Sequence, residues 1–523
     1  MLYGGNLSTH AFEEALTLKN RGGPKSAIQL AWDAGRAFPG VAKQILLIRD
    51  TCEGPFPMLD SRLDLVTAQE WTKKKLLDAL ADCAKGFDLI YFAWADCPLL
   101  DSALAERLAA RHTRFAAEYS YADGWPEGFA PELLSPALPS LLSGLIQEEN
   151  ERVGRDALFS VIQKDINAFD IEAEISPVDL RQHRLTLAAD SKRNLQLVKG
   201  LMDAGLTGAE EAERIIGQRP ELLRTLPSFF PIQTVVPCPQ RCSMCPYPAI
   251  QLGSKPERDF MPPEQFESLL ERIIRFAGDG VIDMSLWGEL ALHPQKMELI
   301  RMVLARAELS LIIETAGLGW TEAELDTLGA LAAPRERATG RGALSWIVSL
   351  DAADSAEYQA LRGAGFSVAC ETAQSLMQRF PQDTYVQAIR MTGGEDGIER
   401  FYRYWKDRGA QIIIQKYDDF CGALPKKQAT DLSPIIRQPC WHLMRDMNIL
   451  IDGTVPFCRE DLNALSAALN PLGKGAVGES LGNAFLDSLE TIWSHGAGRY
   501  LDHCSRGYAP ICEGCDEYYT FNF

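Results

Sequence analysis

Three cysteines that lie close together form the segment of this 523-residue chain best suited to chemistry. Cys238, Cys242 and Cys245 follow Pro237, with three and then two residues between successive cysteines. Thiolate sulfur is the usual ligand of iron–sulfur clusters, and a short loop can bring several sulfurs onto one cluster. A 4Fe–4S cluster contains four irons, so three cysteines leave one iron open to a reacting ligand, as in catalytic metal sites. The loop therefore predicts a cluster with one free coordination position.

Zinc and chance are the alternatives for this loop. Zinc usually takes four ligands, whereas neither Cys nor His occurs between Cys245 and His293. Buried, inert cysteines are common in proteins. Three of them at this spacing, directly after the β-type run Ile232–Val236, are not typical of a core, so the spacing favours a cluster.

A second cysteine set occupies the last 84 residues of the chain. Cys440 and Cys458 have 17 residues between them, and Cys512 and Cys515 form a Cys-x-x-Cys pair. Four thiolates close a 4Fe–4S cluster completely. A structural zinc is the alternative, because sulfur spacing alone does not separate tetrahedral zinc from a cluster. Cys504 is left over, as a spare core thiol, an alternative ligand or a group near the substrate.

The bulk composition argues against several classes of protein. The net charge of −19 repels phosphate backbones and anionic membranes, so we expect neither a nucleic-acid partner nor a membrane partner. No apolar run approaches the length of a membrane span, and no signal peptide is recognisable at the N-terminus. Thirteen cysteines without a secretion signal indicate metal or catalytic use rather than disulfides. The expected location is the cytoplasm.

From Ile232 to about Asp419 the sequence alternates strands with helices such as Pro263–Ala277, the pattern of parallel βα units. Active-site groups then lie at the carboxyl ends of the strands. The predicted strands are Ile232–Val236, Val281–Trp287, Leu309–Glu314, Ser345–Asp351, Tyr385–Arg390 and Gln411–Gln415.

Polar residues stand at four of these predicted strand ends. Glycine lets the backbone approach a ligand, and a glutamate can accept hydrogen bonds from an ammonium group. A Gly-Glu pair alone is usually a turn, and a lone aspartate after a strand is usually a helix cap. Polar residues at the ends of four successive strands instead predict a cofactor site at that edge of the sheet. The residues are Gly288, Glu289, Glu314, Thr315, Ser349, Asp351 and Arg390.

The first 150 or so residues also have an α/β pattern. The strongest strand, Phe87–Ala95, leads directly into Asp96. A carboxylate at that place lies where doubly wound sheets bind ligands, although capping of the helix near Ser102 is the alternative.

The loop Cys238–Cys245 resembles the cluster motif of the radical S-adenosylmethionine (radical SAM) superfamily. In that superfamily the free iron chelates the amino and carboxylate groups of S-adenosylmethionine. The polar strand ends resemble the superfamily's cofactor-contacting positions, with Trp287 where the Gly-Gly-Glu motif has its first glycine. The resemblance implies a partial (β/α)6 barrel that holds a 4Fe–4S cluster on Cys238, Cys242 and Cys245.

The C-terminal cysteines resemble the SPASM extension in its shorter, one-cluster form, called twitch. The longer form adds cysteines after the matching Cys-x-x-Cys, and none follows Cys515 here. The resemblance implies one auxiliary 4Fe–4S cluster on Cys440, Cys458, Cys512 and Cys515.

The N-terminal region resembles the cytidylyltransferase branch of the nucleotide-sugar nucleotidyltransferases, in Ile90–Asp101, Tyr121–Leu134 and Leu180–Gly205. In that family the aspartate matching Asp96 holds a metal, and a later aspartate at a strand end helps to hold it. Asp190 is the nearest match for this second aspartate, but aligning it requires a shift of two residues. The family's opening strand is not recognisable, and its triphosphate loop has only a weak counterpart. We therefore expect the fold with a degenerate site. That counterpart consists of Lys19, Arg21, Gly22, Gly23 and Lys25.

The order of these three parts resembles the group called spiroSPASM proteins. The predicted domains are a doubly wound nucleotidyltransferase-like domain (1–206), a linker (207–231), the barrel (232–425) and a Cys-rich tail (426–523). The chain as a whole is predicted to be α/β.

The resemblance implies reductive cleavage of S-adenosylmethionine to a 5′-deoxyadenosyl radical, which abstracts a hydrogen atom from a substrate. It also implies an external one-electron donor of the flavodoxin or ferredoxin type. A sugar-type or nucleotide-linked substrate is expected, and a peptide is the alternative. An electron carrier with two clusters and an active cytidylyltransferase are competing functions. No general base is assigned, with Glu460 and Asp461 as guesses.

Overall fold

The computed structural model divides the chain into two compact units, Met1–Thr225 and Leu226–Phe523. The predicted linker 207–231 is shared between them, since residues 207–225 belong to the first unit. Within the described ranges, no helix is long and apolar enough to cross a membrane. The residues that the structure describes are 1–5, 7–17, 23–52, 64–332, 337–470 and 478–520.

The first unit is built on a seven-stranded sheet in the order β3-β2-β1-β4-β6-β5-β7. Strand β6 runs antiparallel to both of its neighbours, and the other pairings are parallel. The strands are β1 (Leu2–Gly4), β2 (Ile45–Arg49), β3 (Asp64–Ala68), β4 (Ile90–Trp94), β5 (Tyr119–Asp123), β6 (Glu132–Leu134) and β7 (Ile171–Ile175).

Helices cover both faces of this sheet. Successive residues of its strands face opposite sides, so Leu2 and Leu46 belong to one apolar cluster whereas Tyr3 and Leu47 belong to another. The prediction of a doubly wound α/β domain is confirmed. The helices are α1 (Ala27–Arg36), α2 (Lys73–Cys83), α3 (Ser102–Phe115), α4 (Leu138–Gly144), α5 (Phe159–Ile162), α6 (Lys192–Asp203) and α7 (Ala212–Gln218).

For the first unit, one expectation, the missing opening strand, and one alternative, capping by Asp96, are wrong. The opening strand exists as β1, which pairs with β2 on one side and β4 on the other. It is only three residues long, too short to show an alternating pattern. The carboxylate that caps α3 is Asp101, which accepts from the amides of Ala103 and Leu104, so Asp96 is not the cap. The predicted loop residues Lys19, Arg21 and Gly22 lie outside the described residues.

The second unit contains a parallel six-stranded sheet whose strands follow one another in chain order, β8 to β13. Helices connect successive strands, as the predicted partial (β/α)6 barrel requires. The strands are β8 (Phe229–Pro231), β9 (Gly280–Asp283), β10 (Leu309–Thr315), β11 (Leu344–Ser349), β12 (Thr384–Arg390) and β13 (Gln411–Lys416).

Helix α9 has the predicted bounds, Pro263–Ala277. A proline at its first position and buried residues three or four apart account for this agreement. The helices of the second unit are α8 (Tyr247–Gly253), α9, α10 (Lys296–Leu304), α11 (Glu322–Leu331), α12 (Ser355–Leu361), α13 (Phe366–Arg379), α14 (Glu395–Lys406), α15 (Trp441–Arg445), α16 (Leu462–Ala468), α17 (Leu489–His495), α18 (Ala497–Cys504) and α19 (Pro510–Glu513).

The first two barrel strands begin and end earlier than predicted. Strand β8 is Phe229–Pro231: the amide of Ile232 still donates to Asp283 of β9 at 2.7 Å, but that of Gln233 donates to Ile449 at 2.9 Å. Strand β9 ends at Asp283, whose carboxylate accepts from the amide of Ser285 at 2.9 Å and starts a turn.

The C-terminal segment shares one hydrophobic core with the barrel. Ile449, Leu450 and Trp493 belong to the same buried cluster as the residues of α9 and β10. The chain turns at Asp452-Gly453, a dipeptide typical of tight turns, and the amide of Leu450 donates to the carbonyl of Thr454 at 2.9 Å. The residues after the turn form strand β14 (Thr454–Pro456), which pairs with β15 (Ser480–Asn483). In a simple hairpin, β14 would instead pair as a strand with the residues before the turn.

Candidate functional site

A cavity of about 270 Å³ lies inside the second unit. Cys238, Cys242 and Cys245 line one part of its wall, together with residues from the ends of β9, β10 and β11. Charged residues that follow β13 line another part. Thiols and strand-end polar groups therefore face one common space.

Backbone hydrogen bonds hold the cysteine loop in place. The amides of Arg241 and Ser243 donate to the carbonyls of Arg362 and Leu361, at 3.2 and 2.8 Å. The amide of Glu289 donates to the carbonyl of Pro237 at 2.9 Å. The loop is thus fixed between the end of α12 and the turn after β9.

All 13 cysteines of the chain are free. Burial is the largest cause that raises the pKa of Cys238 to about 11 and that of Cys245 to about 12. A buried thiol stays protonated because its thiolate is poorly solvated, and a bound metal reverses this preference.

Backbone conformation selects glycine at position 288. Gly288 has φ +82°, and a Cβ atom there would lie 2.1 Å from the carbonyl oxygen of Val235. The preceding Trp287 also has a positive φ, 54°, and stacks on Tyr247 at 5.6 Å between ring centroids. Phe420 lies 5.7 Å from the same indole. Such strained conformations in non-glycine residues persist where the surroundings fix them.

Glu289 faces the cavity but is already bonded within the chain. Its carboxylate accepts from the hydroxyl of Thr315 at 2.7 Å, from the amide of Ala316 at 2.8 Å and from the amide of Ala291 at 3.3 Å. Thr315 in turn accepts from the indole N–H of Trp320 at 3.0 Å. These bonds couple the ends of β9 and β10.

Glu314 is oriented by two neighbouring strands. One of its carboxylate oxygens accepts from Ser349 of β11 at 2.6 Å and from Gln387 of β12 at 2.9 Å. The sequence analysis did not select Gln387. A polar residue in the otherwise apolar run of β12 is the signal that could have found it.

Asp351 pairs with a buried arginine. Its carboxylate accepts from Arg362 and from the amide of Ile389 at 2.7 Å, and its backbone has φ +61°. Arg362 lines the cavity, whereas Asp351 does not. Arg390 is exposed and also lies outside the cavity wall. Arg362 was missed by sequence reasoning because it follows a helix rather than a strand.

Charged side chains line the cavity beyond β13. Lys416 bonds to Asp516 at 2.9 Å and to Glu517. Burial, followed by the nearby carboxylates of Glu460 and Glu517, raises the pKa of Asp418 to about 8. Arg459 lies 3.6 Å from Asp418. This part of the wall carries charges of both signs, so it suits a polar ligand.

The two residues guessed as bases have different surroundings. Glu460 is buried and pairs with Arg459 at 2.8 Å. Asp461 accepts from the amides of Asn463, Ala464 and Glu479, so it caps α16. Neither carboxylate lines the cavity.

The four C-terminal cysteines interact electrostatically. Burial is the largest cause that raises the pKa of Cys440, and negative charge on Cys515 and Cys512 adds to it. Burial raises the pKa of Cys458 in the same way, with contributions from Glu460, Cys440 and Cys515. Three separate segments therefore bring these thiols into one region.

A fifth cysteine joins this group. The thiol of Cys421, which the sequence analysis did not select, hydrogen-bonds to Cys515. Cys421 and the preceding Phe420 both have positive φ, 55° and 51°. A cysteine shortly after a barrel strand is the signal that could have found it.

Cys504, at the end of α18, has Tyr500 as its side-chain partner. In the part of the chain that is described, no three His, Cys, Asp or Glu side chains are grouped to hold a single metal ion.

No protein-family model matches the chain. An uncharacterized protein of Treponema pallidum (strain Nichols) is 36% identical over 374 residues, which cover 70% of this chain and 98% of that relative. A second uncharacterized protein of the same organism is 38% identical over 61 residues, 12% of this chain and 28% of its own length.

Three solved structures show weaker similarity. BtrN in complex with AdoMet and 2-DOIA has 18% identity and a TM-score of 0.34, and the match covers 56% of this chain and 94% of BtrN. Streptococcus suis SuiB bound to precursor peptide SuiA has 13% identity and a TM-score of 0.40, over 69% of this chain and 82% of SuiB. A cytidylyltransferase from Leptospira borgpetersenii has 14% identity and a TM-score of 0.35, over 42% and 94%. Each TM-score is below 0.5, so the function is argued from the residues of this chain.

Proposed function

We propose a function for the protein family to which this chain belongs, that of the uncharacterized Treponema pallidum protein: the second unit is a radical SAM enzyme. The observation that carries the proposal is the set of three free cysteines on one fixed loop, facing a cavity lined by polar strand ends. Three thiols fit a 4Fe–4S cluster with one open iron.

A cluster and S-adenosylmethionine bound there would supply radical chemistry, of the kind that removes a hydrogen atom from a substrate. The protein contributes position, orientation and exclusion of water. Cys238, Cys242 and Cys245 hold the cluster in this proposal. The loop is anchored to α12 and to the turn after β9, so its backbone is held in place before the cofactor binds.

The polar strand ends have distinct roles in the proposal. Gly288 lets the chain approach the cofactor, since no side chain fits at that position. Glu314, oriented by Ser349 and Gln387, presents a carboxylate to the cofactor's polar groups. Glu289 acts mainly through its bonds to Thr315 and Ala316, which fix the turn. Arg390 stays exposed and has no part in the site.

We infer that the substrate is a small polar molecule of the sugar type. The cavity wall beyond β13 carries Lys416, Asp418 and Arg459. The Oδ2 atom of Asp418 is buried and accepts no hydrogen bond from the described residues. The same oxygen lies 3.6 Å from Arg459, too far for a hydrogen bond, so this carboxyl group still gains from a hydrogen bond with a ligand hydroxyl.

We also propose that Cys440, Cys458, Cys512 and Cys515 hold one auxiliary 4Fe–4S cluster. Four thiolates saturate such a cluster, so this site binds no second S-adenosylmethionine. Its role in the proposal is to accept an electron from the substrate, which makes the reaction an oxidation. A flavodoxin- or ferredoxin-like donor reduces the first cluster, and thirteen free thiols suit a reducing compartment such as the cytoplasm.

The experiment compares wild type with Cys242→Ala after anaerobic reconstitution with iron and sulfide. Wild type should bind about eight irons per chain and release 5′-deoxyadenosine from S-adenosylmethionine under reduction. Cys242→Ala should release more than about 100-fold less, since even outer-shell changes at metal sites cost 10–100-fold.

Cys504→Ala is the matched control, because this thiol lies in the same unit and outside the cavity. It should keep both the iron content and the 5′-deoxyadenosine yield of wild type. A wild-type yield from Cys242→Ala would refute the assignment. Two clusters without any 5′-deoxyadenosine would indicate an electron carrier instead.

A further inference from the structure

One guanidinium in the first unit lies among three carboxylates. Arg155 donates to Asp96 through two nitrogens, at 2.7 and 3.1 Å, and to Asp190 at 3.0 Å. Its Nε lies 3.4 Å from Glu127. The ring of Trp94 covers the guanidinium at 4.9 Å. Arg155 thus has the neighbours that a bound cation would have.

The remaining oxygens of this pair of aspartates are also engaged. Asp190 accepts from the amide group of Asn194 at 2.8 Å and from the hydroxyl of Ser191 at 3.2 Å. Both oxygens of Asp96 accept from Arg155. All four carboxylate oxygens of Asp96 and Asp190 therefore have donors within the chain.

The backbone of the first unit brings these groups together. Asp96 follows the end of β4, and Asp190 directly precedes Ser191, the N-cap of α6. The backbone connects them, since the amide of Ala189 donates to the carbonyl of Asp96 at 2.8 Å. Arg155 enters from the turn before α5. The arrangement is built from three separate parts of the chain.

A divalent cation does not fit this arrangement. The resemblance to nucleotidyltransferases implies a metal on the aspartates at these positions. Mg²⁺ binds carboxylate oxygens at about 2.0–2.1 Å in a nearly octahedral shell. It would need the oxygens that Arg155 already holds, and the bidentate contact between arginine and carboxylate is among the stronger protein hydrogen bonds.

We propose that Arg155 takes the place of a divalent cation in the first unit, which is therefore a metal-independent, non-catalytic module. Metal-dependent nucleotidyl transfer requires a cation at the phosphates, and the carboxylates that would hold it are bonded to a permanent internal charge. This inference does not depend on the function proposed for the second unit. It rests only on contacts within the first.

The test is a titration of the full-length chain with Mn²⁺, in which room-temperature electron paramagnetic resonance (EPR) measures the free ion. Wild type and Asp96→Asn should give the same curve up to 1 millimolar Mn²⁺, about the upper limit of useful protein sites. Arg155→Ala should gain one site per chain, at least about tenfold tighter than any site in wild type. The double variant Arg155→Ala/Asp96→Asn should lose this gain.

Two outcomes would overturn the proposal. One is a stoichiometric Mn²⁺ site in wild type that Asp96→Asn abolishes. The other is a folded Arg155→Ala protein that gains no site. The comparison of wild type with Asp96→Asn needs no change at Arg155, so it decides the question even where Arg155→Ala fails to fold. Far-ultraviolet circular dichroism of each variant checks folding.

Discussion

The two units place charged groups at strand ends in opposite ways. In the first, Asp96 and Asp190 meet Arg155, and their oxygens all have donors in the chain. In the second, free cysteines face a cavity, and a buried oxygen of Asp418 accepts no hydrogen bond from the described residues. Both units are α/β sheets with ligand-type residues in the expected place. The difference shows that the partners of these residues, and not the fold, indicate whether a site can bind.

The same comparison separates two arginines that each pair with aspartate. Arg155 neutralises carboxylates that have no other task in our proposal. Arg362 also pairs with a buried aspartate, Asp351, but it lines the cavity beside the cysteine loop. A fold alone does not carry a function, so each site has to be tested by itself.

The largest expected effect is that of Arg362→Met. It leaves the Asp351 carboxylate buried without its cation, which lowers the free energy of unfolding by about 3–5 kcal/mol. It should also reduce 5′-deoxyadenosine formation at least about tenfold. Urea denaturation and the product assay measure the two effects.

Two control variants belong with this prediction. Arg155→Met should destabilise the chain but leave the 5′-deoxyadenosine yield unchanged, since its site lies in the first unit. Arg403→Met removes an exposed pair with Glu399 and should cost less than about 0.5 kcal/mol. Equal loss of product in Arg155→Met and Arg362→Met would contradict the comparison.

Gly288→Ala should have the next largest effect. Its Cβ would lie 2.1 Å from the carbonyl of Val235, at a φ of +82°. The turn must shift, which we expect to cost about 2–3 kcal/mol and to weaken S-adenosylmethionine binding. Equilibrium dialysis of the cofactor and urea denaturation check this.

Gly409→Ala is its matched control. Gly409 also has a positive φ, +76°, but no atom of the described residues lies within 4 Å of an added Cβ. It should cost only about 1 kcal/mol and leave cofactor binding unchanged. Similar cofactor binding in both variants would show that close approach at Gly288 is unimportant.

The last expected effect changes stability with pH and needs no loss of activity. Burial raises the pKa of Asp283, in the cavity wall, from 3.8 to about 6. The native state therefore holds this proton more tightly than the unfolded state, and stability falls as the pH rises from about 4 to about 6. Asp283→Asn removes this loss, so at pH 7 it should be more stable than wild type by up to about 3 kcal/mol.

Denaturation at pH 4 and pH 7 measures the difference between the two proteins. The exposed Asp407→Asn serves as the control and should change stability equally at both pH values. If Asp283→Asn were less stable than wild type at pH 7, the charged carboxylate would have a favourable partner, and the cavity wall would differ from our description.

Much of the second unit is predictable from sequence because its strands are long and apolar. Strands β10 to β13 all lie within two residues of their predicted bounds. The three cysteines, Gly288 and Glu314 all line the cavity, as their order along the chain implied. The periodicity of the apolar residues and the order of the strands were enough to predict these site residues, because the residues follow the strands closely in sequence.

Other features depend on partners distant in sequence. The three-residue β1 has no periodicity of its own and exists because two longer strands flank it. Arg155 lies in a turn with no motif, 59 residues from Asp96, so sequence gave no reason to pair them. The roles of Gln387 and Cys421 likewise depend on the side chains to which they hydrogen-bond, Glu314 and Cys515.

The most direct test of the second unit is low-temperature EPR of the anaerobically reconstituted, reduced protein, recorded before and after addition of S-adenosylmethionine. Our proposal predicts a 4Fe–4S signal that changes when the cofactor is added, and no such change in Cys242→Ala. Zinc in place of iron at these thiols, or a wild-type signal that the cofactor leaves unchanged, would contradict it.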